Sequence, residues 1–292
     1  MRKSVVSQVN TVLFLLPWIL VFLIFWLYPL LNAAYLSLTD YQTLTDTSVF
    51  VGLQNYSDIL KDETFWISLK NTFIFTIGTV PVTTFLAVIL AVILNSKDLK
   101  MKSFFRATYF VPTVTSLVVI ALIFTNLYSK DGYINFLFKL SGLPYPDKGW
   151  LLDTDTSLLS IMIMDVWISV GYYMVLVLAG LQTISDDLYD SARLMGASAF
   201  TQFYRITLPL LKPTLLFIFV INTIKSFQVF IEIFVMTKGG PLNSTMTFVY
   251  YIFTNAFEKS DALGYGSALA FILFFILILL SYFQIKVLKT KN

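Results

Sequence analysis

Three ionisable residues stand inside otherwise apolar runs: Asp165, Lys225 and Glu232. A charge held in such a run is costly, so each is first read as a functional group rather than as packing. Ile168, Ser169 and Tyr172 follow Asp165 at i+3, i+4 and i+7, which places all four on one helix face. Around Lys225, the residues Asn222, Ser226, Gln228, Val229 and Glu232 form a second, broader stripe. A hydroxyl-rich solute needs amide, carboxylate and hydroxyl partners and an aromatic platform, and these two faces carry all of them. Asp165 and Glu232 would equally serve coupling to protons or sodium. Lys225 and Glu232 are also candidates for an ion pair with each other. At i, i+7 they lie about 10 Å apart along a helix, so both side chains would have to reach. A counter-ion from a partner chain is an equally open reading.

The runs that hold these residues must be membrane spans. Of 292 residues, 57% are hydrophobic and 13% charged, far too little charge to cover a soluble domain of this length. Aromatic residues make up 17%, led by Phe, which suits lipid-facing and interfacial positions. With no Cys and no His, disulfide and thiol chemistry, the usual zinc ligands and a histidine proton carrier are all absent. No cofactor and no nucleic-acid partner is expected.

A span needs about 20 apolar residues. Six stretches qualify, at 13–38, 72–94, 108–127, 158–181, 215–235 and 263–285. The first resembles a signal peptide only in its preceding Arg2 and Lys3. Its length and its internal Tyr28-Pro29 favour a retained span. The reading is therefore an all-α integral membrane protein with six transmembrane helices in a single domain, 1–292.

With the N-terminus inside, the cytoplasmic segments hold twelve Lys and Arg and the outer segments seven. The 97–106 loop, with Lys97, Lys100, Lys102 and Arg106, is the clearest case. The positive-inside rule thus places both termini in the cytoplasm. Two longer outer loops, 39–68 and 128–157, read either as a surface for an extracytoplasmic partner or as solvated connections.

The inner segment 182–213 is patterned. Asp186 and Asp187 sit where an N-cap and first turn belong. Residues 188–195 read as a short helix, ended by Gly196, and 197–208 as a second, with Phe200, Phe203, Tyr204 and Leu208 sharing a face. Pro209 and Pro213 are expected to close it. Ser191, Ala192, Gly196, Ala197 and Ser198 leave a surface that another protein can approach closely. A helix–turn–helix of this kind is either a docking device or a plain amphipathic surface helix.

The run Asp190-Ser191-Ala192-Arg193-Leu194-Met195-Gly196-Ala197, followed by Phe203, Ile206, Leu208-Pro209 and Pro213, resembles the EAA loop of ABC-importer permeases. The likeness extends along most of the chain. Tyr28-Pro29-Leu30, Ser37-Leu38-Thr39, Val51-Gly52-Leu53-Gln54-Asn55-Tyr56 and Lys70-Asn71-Thr72 look like motifs of the carbohydrate permeases. So do Phe104-Phe105-Arg106, Tyr109-Phe110-Val111-Pro112, Thr237-Lys238-Gly239-Gly240-Pro241, Tyr251-Ile252 through Ala256-Phe257, and Gly264-Tyr265-Gly266-Ser267-Ala268. The group resembled is that of the maltose, multiple-sugar and glycerol-phosphate permeases.

The resemblance implies that the inner segment is a coupling helix seated in a cleft of an ATPase subunit. Asp190 takes the acidic position, Ser191 and Ala192 the small pair and Gly196 the turn, with Ala197, Phe203 and Pro209 completing the ATPase-coupling set. Two positions depart from the pattern. Glu is shortened to Asp190, and Met195 replaces the Asp before the glycine, which weakens polar contacts without removing the turn. The resemblance further places a sugar site at Asp165, Ile168, Ser169, Tyr172, Lys225, Ser226 and Val229, to which the stripe itself adds Gln228 and Glu232.

It implies a bacterial or archaeal cytoplasmic membrane, a second and different permease chain, two ATPase subunits on the cytoplasmic side and an extracytoplasmic solute-binding protein, with lipid around the spans. The chain contains no G-x-x-x-x-G-K-[ST] run, so ATP must be hydrolysed elsewhere. Two alternatives remain at this level: the same importer type for a glycerol-phosphate-like or other polar solute, and an ion-coupled secondary transporter. The latter would be favoured by an internal repeat, and none is visible. No catalytic constellation supports an enzyme.

Overall fold

The computed structural model describes residues 2–42, 47–96, 99–259 and 262–288, with the side chains of 2–11, Gln42 and Leu288 excluded. Lys97, Lys289 and Lys291, all used in the charge count, lie outside the described residues, as do the side chains of Arg2 and Lys3. The chain forms two compact units, 1–62 with 252–274, and 63–251 with 275–292.

In the first unit, α1 (Arg2–Phe22) runs through a π turn (Leu23–Leu27) into α2 (Tyr28–Leu36). Pro29 lies in the first turn of α2, where its missing N–H costs nothing. The apolar side chains of this span, among them Phe14, Trp18, Phe25 and Trp26, are exposed, as lipid-facing positions require. A two-stranded antiparallel hairpin follows, β1 (Thr39–Gln42) with β2 (Thr47–Phe50), in the register Thr39 opposite Phe50. It is a small β addition to the expected all-α architecture. Next comes α3 (Gln54–Lys61). Asn55 donates from Nδ2 to the carbonyls of Ser37 and Thr39 at 2.9 and 3.0 Å, and the Tyr56 hydroxyl donates to Ser37 Oγ at 2.9 Å. Two separate sequence motifs are thus one clasp that fastens the 39–62 segment to the end of the first span.

The second unit begins at α4 (Glu63–Asn95), whose 33 residues reach nine positions earlier than the expected start at 72. Lys102–Val114 is α5 and Leu117–Leu127 is α6. These two correct the third expected span: a single apolar run is here two helices bent by 94°. Pro112 removes a helix donor, and Thr115 and Ser116 are extended rather than helical, so the ladder breaks two residues after the proline. Among the described residues, five helices are long and apolar enough to cross a membrane, and the bent pair supplies a sixth if it counts as one span.

Beyond α6 the 128–156 loop carries α7 (Tyr133–Leu140), closed by Trp150 Nε1 donating to Asn135 Oδ1 at 2.6 Å. It is an ordered element rather than a loose connection. Then come α8 (Ser157–Leu181), α9 (Asp186–Leu194), α10 (Ala199–Gln202), a π turn (Phe203–Thr207), α11 (Leu208–Phe227) and α12 (Ile231–Met236). The last elements are α13 (Phe248–Phe253) and α14 (Leu263–Leu288).

Three helices hold the second unit together. Ala87, Ala91 and Leu94 of α4, Tyr173, Met174, Val177 and Leu181 of α8, and Leu211 and Ile218 of α11 bury one another almost completely. Between lipid-solvated helices, van der Waals fit takes over from the hydrophobic effect, so close approach matters. Gly171 shows this. A Cβ there would collide with the Tyr109 carbonyl of α5 and come within 3.2 Å of Phe110 Cα. Gly171→Val is expected to destabilise by ~1–3 kcal/mol through overpacking. It should appear as a lower melting temperature and reduced membrane yield; an unchanged melting temperature would show that the α5–α8 contact is dispensable.

The loop after span five is fixed from α4. Asn71 Nδ2 donates to the carbonyls of Asn243 and Met246 at 2.9 and 3.0 Å, and Thr72 Oγ1 accepts from Phe248 N at 2.9 Å. The Lys70-Asn71-Thr72 motif is therefore the seat of the segment that follows the Gly239-Gly240-Pro241 turn.

Candidate functional site

A cavity of about 280 Å³ opens where α8 and α11 meet the bend between α5 and α6. Thr113, Thr115, Ile168, Tyr172, Tyr173 and Lys225 are among its walls. Lys225 extends from α11 to α8, where its Nζ donates to Asp165 Oδ1 at 2.9 Å and to Ser169 Oγ. Ser169 also reaches Asp165 Oδ1, at 3.4 Å. The side chain of Asp165 is 3% exposed and that of Lys225 43%. The carboxylate is thus enclosed in the helix packing, while the ammonium lies between it and the cavity.

The polar face read on span four is brought together: Asp165, Ile168, Ser169 and Tyr172 all lie at or just behind this cavity. The stripe on span five is divided. Lys225 takes the cavity side. Ser226, one position on, turns instead to α4, with its Oγ 3.2 Å from Thr79 Oγ1, and Asn222 is fully buried without a hydrogen-bond partner for its amide. Within α11 the spacing explains the split, because 222 and 226, four apart, share a face from which 225 is rotated, while 228, 229 and 232 lie at or beyond the end of that helix.

Gln228 caps the C-terminus of α11 and is exposed; Val229 is buried, its carbonyl accepting from Thr247 Oγ1 at 3.2 Å. Glu232 is buried in the first turn of α12, past the break that ends α11, and interacts electrostatically with both Asp165 and Lys225. The counter-ion of Lys225 is therefore Asp165 on a neighbouring helix, a pairing that sequence spacing did not raise. Thr113, Thr115 and Tyr173 were also missed as cavity residues. Hydroxyls flanking a proline inside an apolar run, Pro112-Thr113-Val114-Thr115-Ser116, were the available signal.

At one end of the second unit, α9 and α10 form the anticipated helix–turn–helix. The N-cap is Ser185, not an aspartate: its Oγ accepts from Asp187 N at 3.3 Å, and Asp186 and Asp187 fill the first turn. Gly196 makes the turn at φ +78°, a region open to glycine at little cost. Ser198 caps the second helix, accepting from Thr201 N at 3.3 Å.

The prolines do not close this second helix. It passes through the π turn into α11 with Pro209 in the first turn and Pro213 inside, so 199–236 is one long apolar element. The π turn shifts the hydrogen-bond ladder just before Pro209, where a regular ladder would lack a donor.

The shared aromatic face is also divided. Phe200 and Tyr204 stack outward at 6.4 Å, whereas Phe203 packs against the three-helix core. Asp190 pairs with Arg193 at 2.6 Å on the exposed side, Ser191, Gly196 and Pro209 are exposed, Ala197 is half-buried, and Ala192 is buried. Leu194 and Met195 are 91% and 82% exposed at the tip. A second cavity, of about 490 Å³, is bounded by Asn95 and Ser96 at the end of α4 and by Tyr189, Arg193 and Gln202 of α9 and α10, so the end of α4 and this helix–turn–helix lie at the same end of the unit.

A family described as the binding-protein-dependent transport system inner membrane component matches residues 83–289. The chain belongs to this family. This inner membrane component is 36% identical over 286 residues to a probable ABC transporter permease protein of Bacillus subtilis (strain 168), covering 97% of both chains. It is 34% identical to the lactose transport system permease protein of Rhizobium radiobacter, covering 98% of this chain and 96% of that one. A bacterial ABC transporter involved in the import of the acidic polysaccharide alginate shares the fold, with a TM-score of 0.86, 21% identity and 99% of each chain covered. As a family member, the chain is a permease subunit of a transport system and resides in the membrane through several helical spans.

Proposed function

We propose that this permease subunit forms half of the translocation pathway of an ATP-driven importer for a sugar or oligosaccharide. The observation that carries the reading is near end-to-end similarity to permeases named for lactose transport and, in Thermococcus litoralis, for trehalose and maltose transport, the latter 35% identical over 268 residues. The cavity supports it chemically, since hydroxyls, tyrosines and an ion pair suit a polyhydroxylated solute.

Asp165, Ile168, Ser169, Tyr172 and Lys225 line or back the pathway; Ser226, Gln228, Val229 and Glu232 belong to its surroundings. The α9–α10 turn docks an ATPase through Asp190, Ser191, Gly196 and Ala197 and the exposed Leu194 and Met195. Phe203 holds that turn to the core, Ala192 is buried and its carbonyl accepts from Ala197 N across the turn, and Pro209 lies where it joins α11. Two ATPase subunits sit on the cytoplasmic side, both termini are cytoplasmic, a different permease chain completes the pathway, and a solute-binding protein delivers from outside. A solved relative of the same fold was captured with an alginate pentasaccharide-bound periplasmic protein, which supports that last partner. ATP-driven closure of the motor subunits would bias the spans between two access states through this turn.

Uptake into vesicles carrying the full importer is expected to stop when ATP is depleted and to persist when an uncoupler removes the ion gradient. The reverse pattern would replace this reading with ion-coupled transport.

A further inference from the structure

The charge state of the cavity is set by the packing of two helices. Lys225 is the sole cationic side chain among the described residues that line it, and its ammonium is already engaged by Asp165 and Ser169. Asp165 is enclosed behind the wall, so a solute cannot displace it without leaving a buried carboxylate unpaired, which is strongly unfavourable. Glu232 adds a second carboxyl group within electrostatic reach of the same pair, and no second cation among the described residues lines the space. The remaining polar walls, Thr113, Thr115, Tyr172 and Tyr173, are uncharged hydroxyl groups.

From this juxtaposition we infer that the permease selects an electrically neutral, hydroxyl-rich solute, with Asp165 as the residue that rejects anionic ones. Lys225 then acts as a hydrogen-bond donor held in place, not as a free cation for a uronate or a sugar phosphate. The inference rests on the substrate-pathway reading above and narrows it. Charge complementarity governs the choice: a carboxylate entering a cavity without a free cation loses its hydration and gains no counter-ion. A neutral sugar exchanges water for hydroxyl and ammonium partners and presents a ring face to the tyrosines.

The test uses the full importer complex purified in detergent without its solute-binding protein. Equilibrium dialysis measures binding of neutral disaccharides (lactose, maltose and trehalose) against digalacturonate. The native complex is expected to bind at least one neutral probe about tenfold or more tighter than digalacturonate. Asp165→Asn keeps hydrogen-bonding partners for Lys225 and Ser169 but frees the charge. It should move the ratio at least tenfold toward digalacturonate, and the further change Lys225→Met should cancel the shift.

Ile221→Lys is the second variant. It places an unpaired cation on the same wall with the ion pair intact, and should gain digalacturonate binding even if Asp165→Asn fails to accumulate. Native binding of digalacturonate as tight as that of every neutral probe, or a ratio that neither variant moves, overturns the inference and leaves the pathway reading standing. Binding of no probe by the native complex or by either variant overturns the pathway reading itself.

Discussion

Gly196→Asp is expected to abolish ATP-driven uptake while the protein remains folded in the membrane. The residue stands at φ +78° with no atom within 4 Å of where a Cβ would project, so a side chain meets open space. Aspartate tolerates the left-handed region better than most residues, and the backbone penalty is about 1 kcal/mol. The fold should survive that loss. The docking surface should not.

The turn lies between the exposed tip residues Leu194 and Met195 and the outward-stacked Phe200 and Tyr204, a patch suited to close burial against a partner. A carboxylate there must be desolvated on docking. Losing about 3 kcal/mol of association free energy lowers affinity on the order of 100-fold. Membrane yield and melting temperature should stay near native, while co-purification of the ATPase and uptake fall together. Gly196→Ala, which carries the backbone penalty without the charge, should keep substantial uptake. Normal uptake in Gly196→Asp would remove the docking assignment, and loss of the protein from the membrane would make the turn a folding element.

The second large effect is expected at Lys225. Lys225→Met leaves Asp165 in its enclosed position with only Ser169 for company. Breaking a buried pair from one side costs about 3–5 kcal/mol, and the half-open lysine places this case near the low end. The complex should melt several degrees earlier and transport should fail. Pairing it with Asp165→Leu removes both charges at once and should restore most of the stability, because an apolar pair can replace a buried ion pair with little loss. Transport should remain absent, since the polar wall is gone. If the double variant recovers transport together with stability, the pair is scaffolding and the solute passes elsewhere.

Much of this was legible from residues alone, and the legible features share a cause. Insertion into lipid depends on the transfer free energy of about 20 contiguous residues, so the apolar stretches locate the spans without knowledge of their neighbours. Gly196 was legible for a similar reason: a turn in the left-handed region is a local event that one residue type satisfies most readily.

Motifs such as Lys70-Asn71-Thr72 and Asn55-Tyr56 were visible as words without meanings. Asn71 acts 172 positions away, on Asn243, and no local pattern carries that distance. The bend at Thr115-Ser116 was within reach, since a proline followed by hydroxyl residues marks a weak ladder, but its 94° angle was not.

The cavity charge belongs wholly to the fold. Sequence by itself determined that Asp165, Lys225 and Glu232 must lie in spans, and that such charges need partners. Which partner Lys225 takes was decided only when α11 packed against α8, bringing together residues 60 positions apart. The same packing sent Ser226 toward α4 and left Lys225 facing the cavity. Hydropathy and turn chemistry are properties of short segments. Counter-ions and cavity walls are properties of pairs of helices, and the tertiary structure alone selects the pairs.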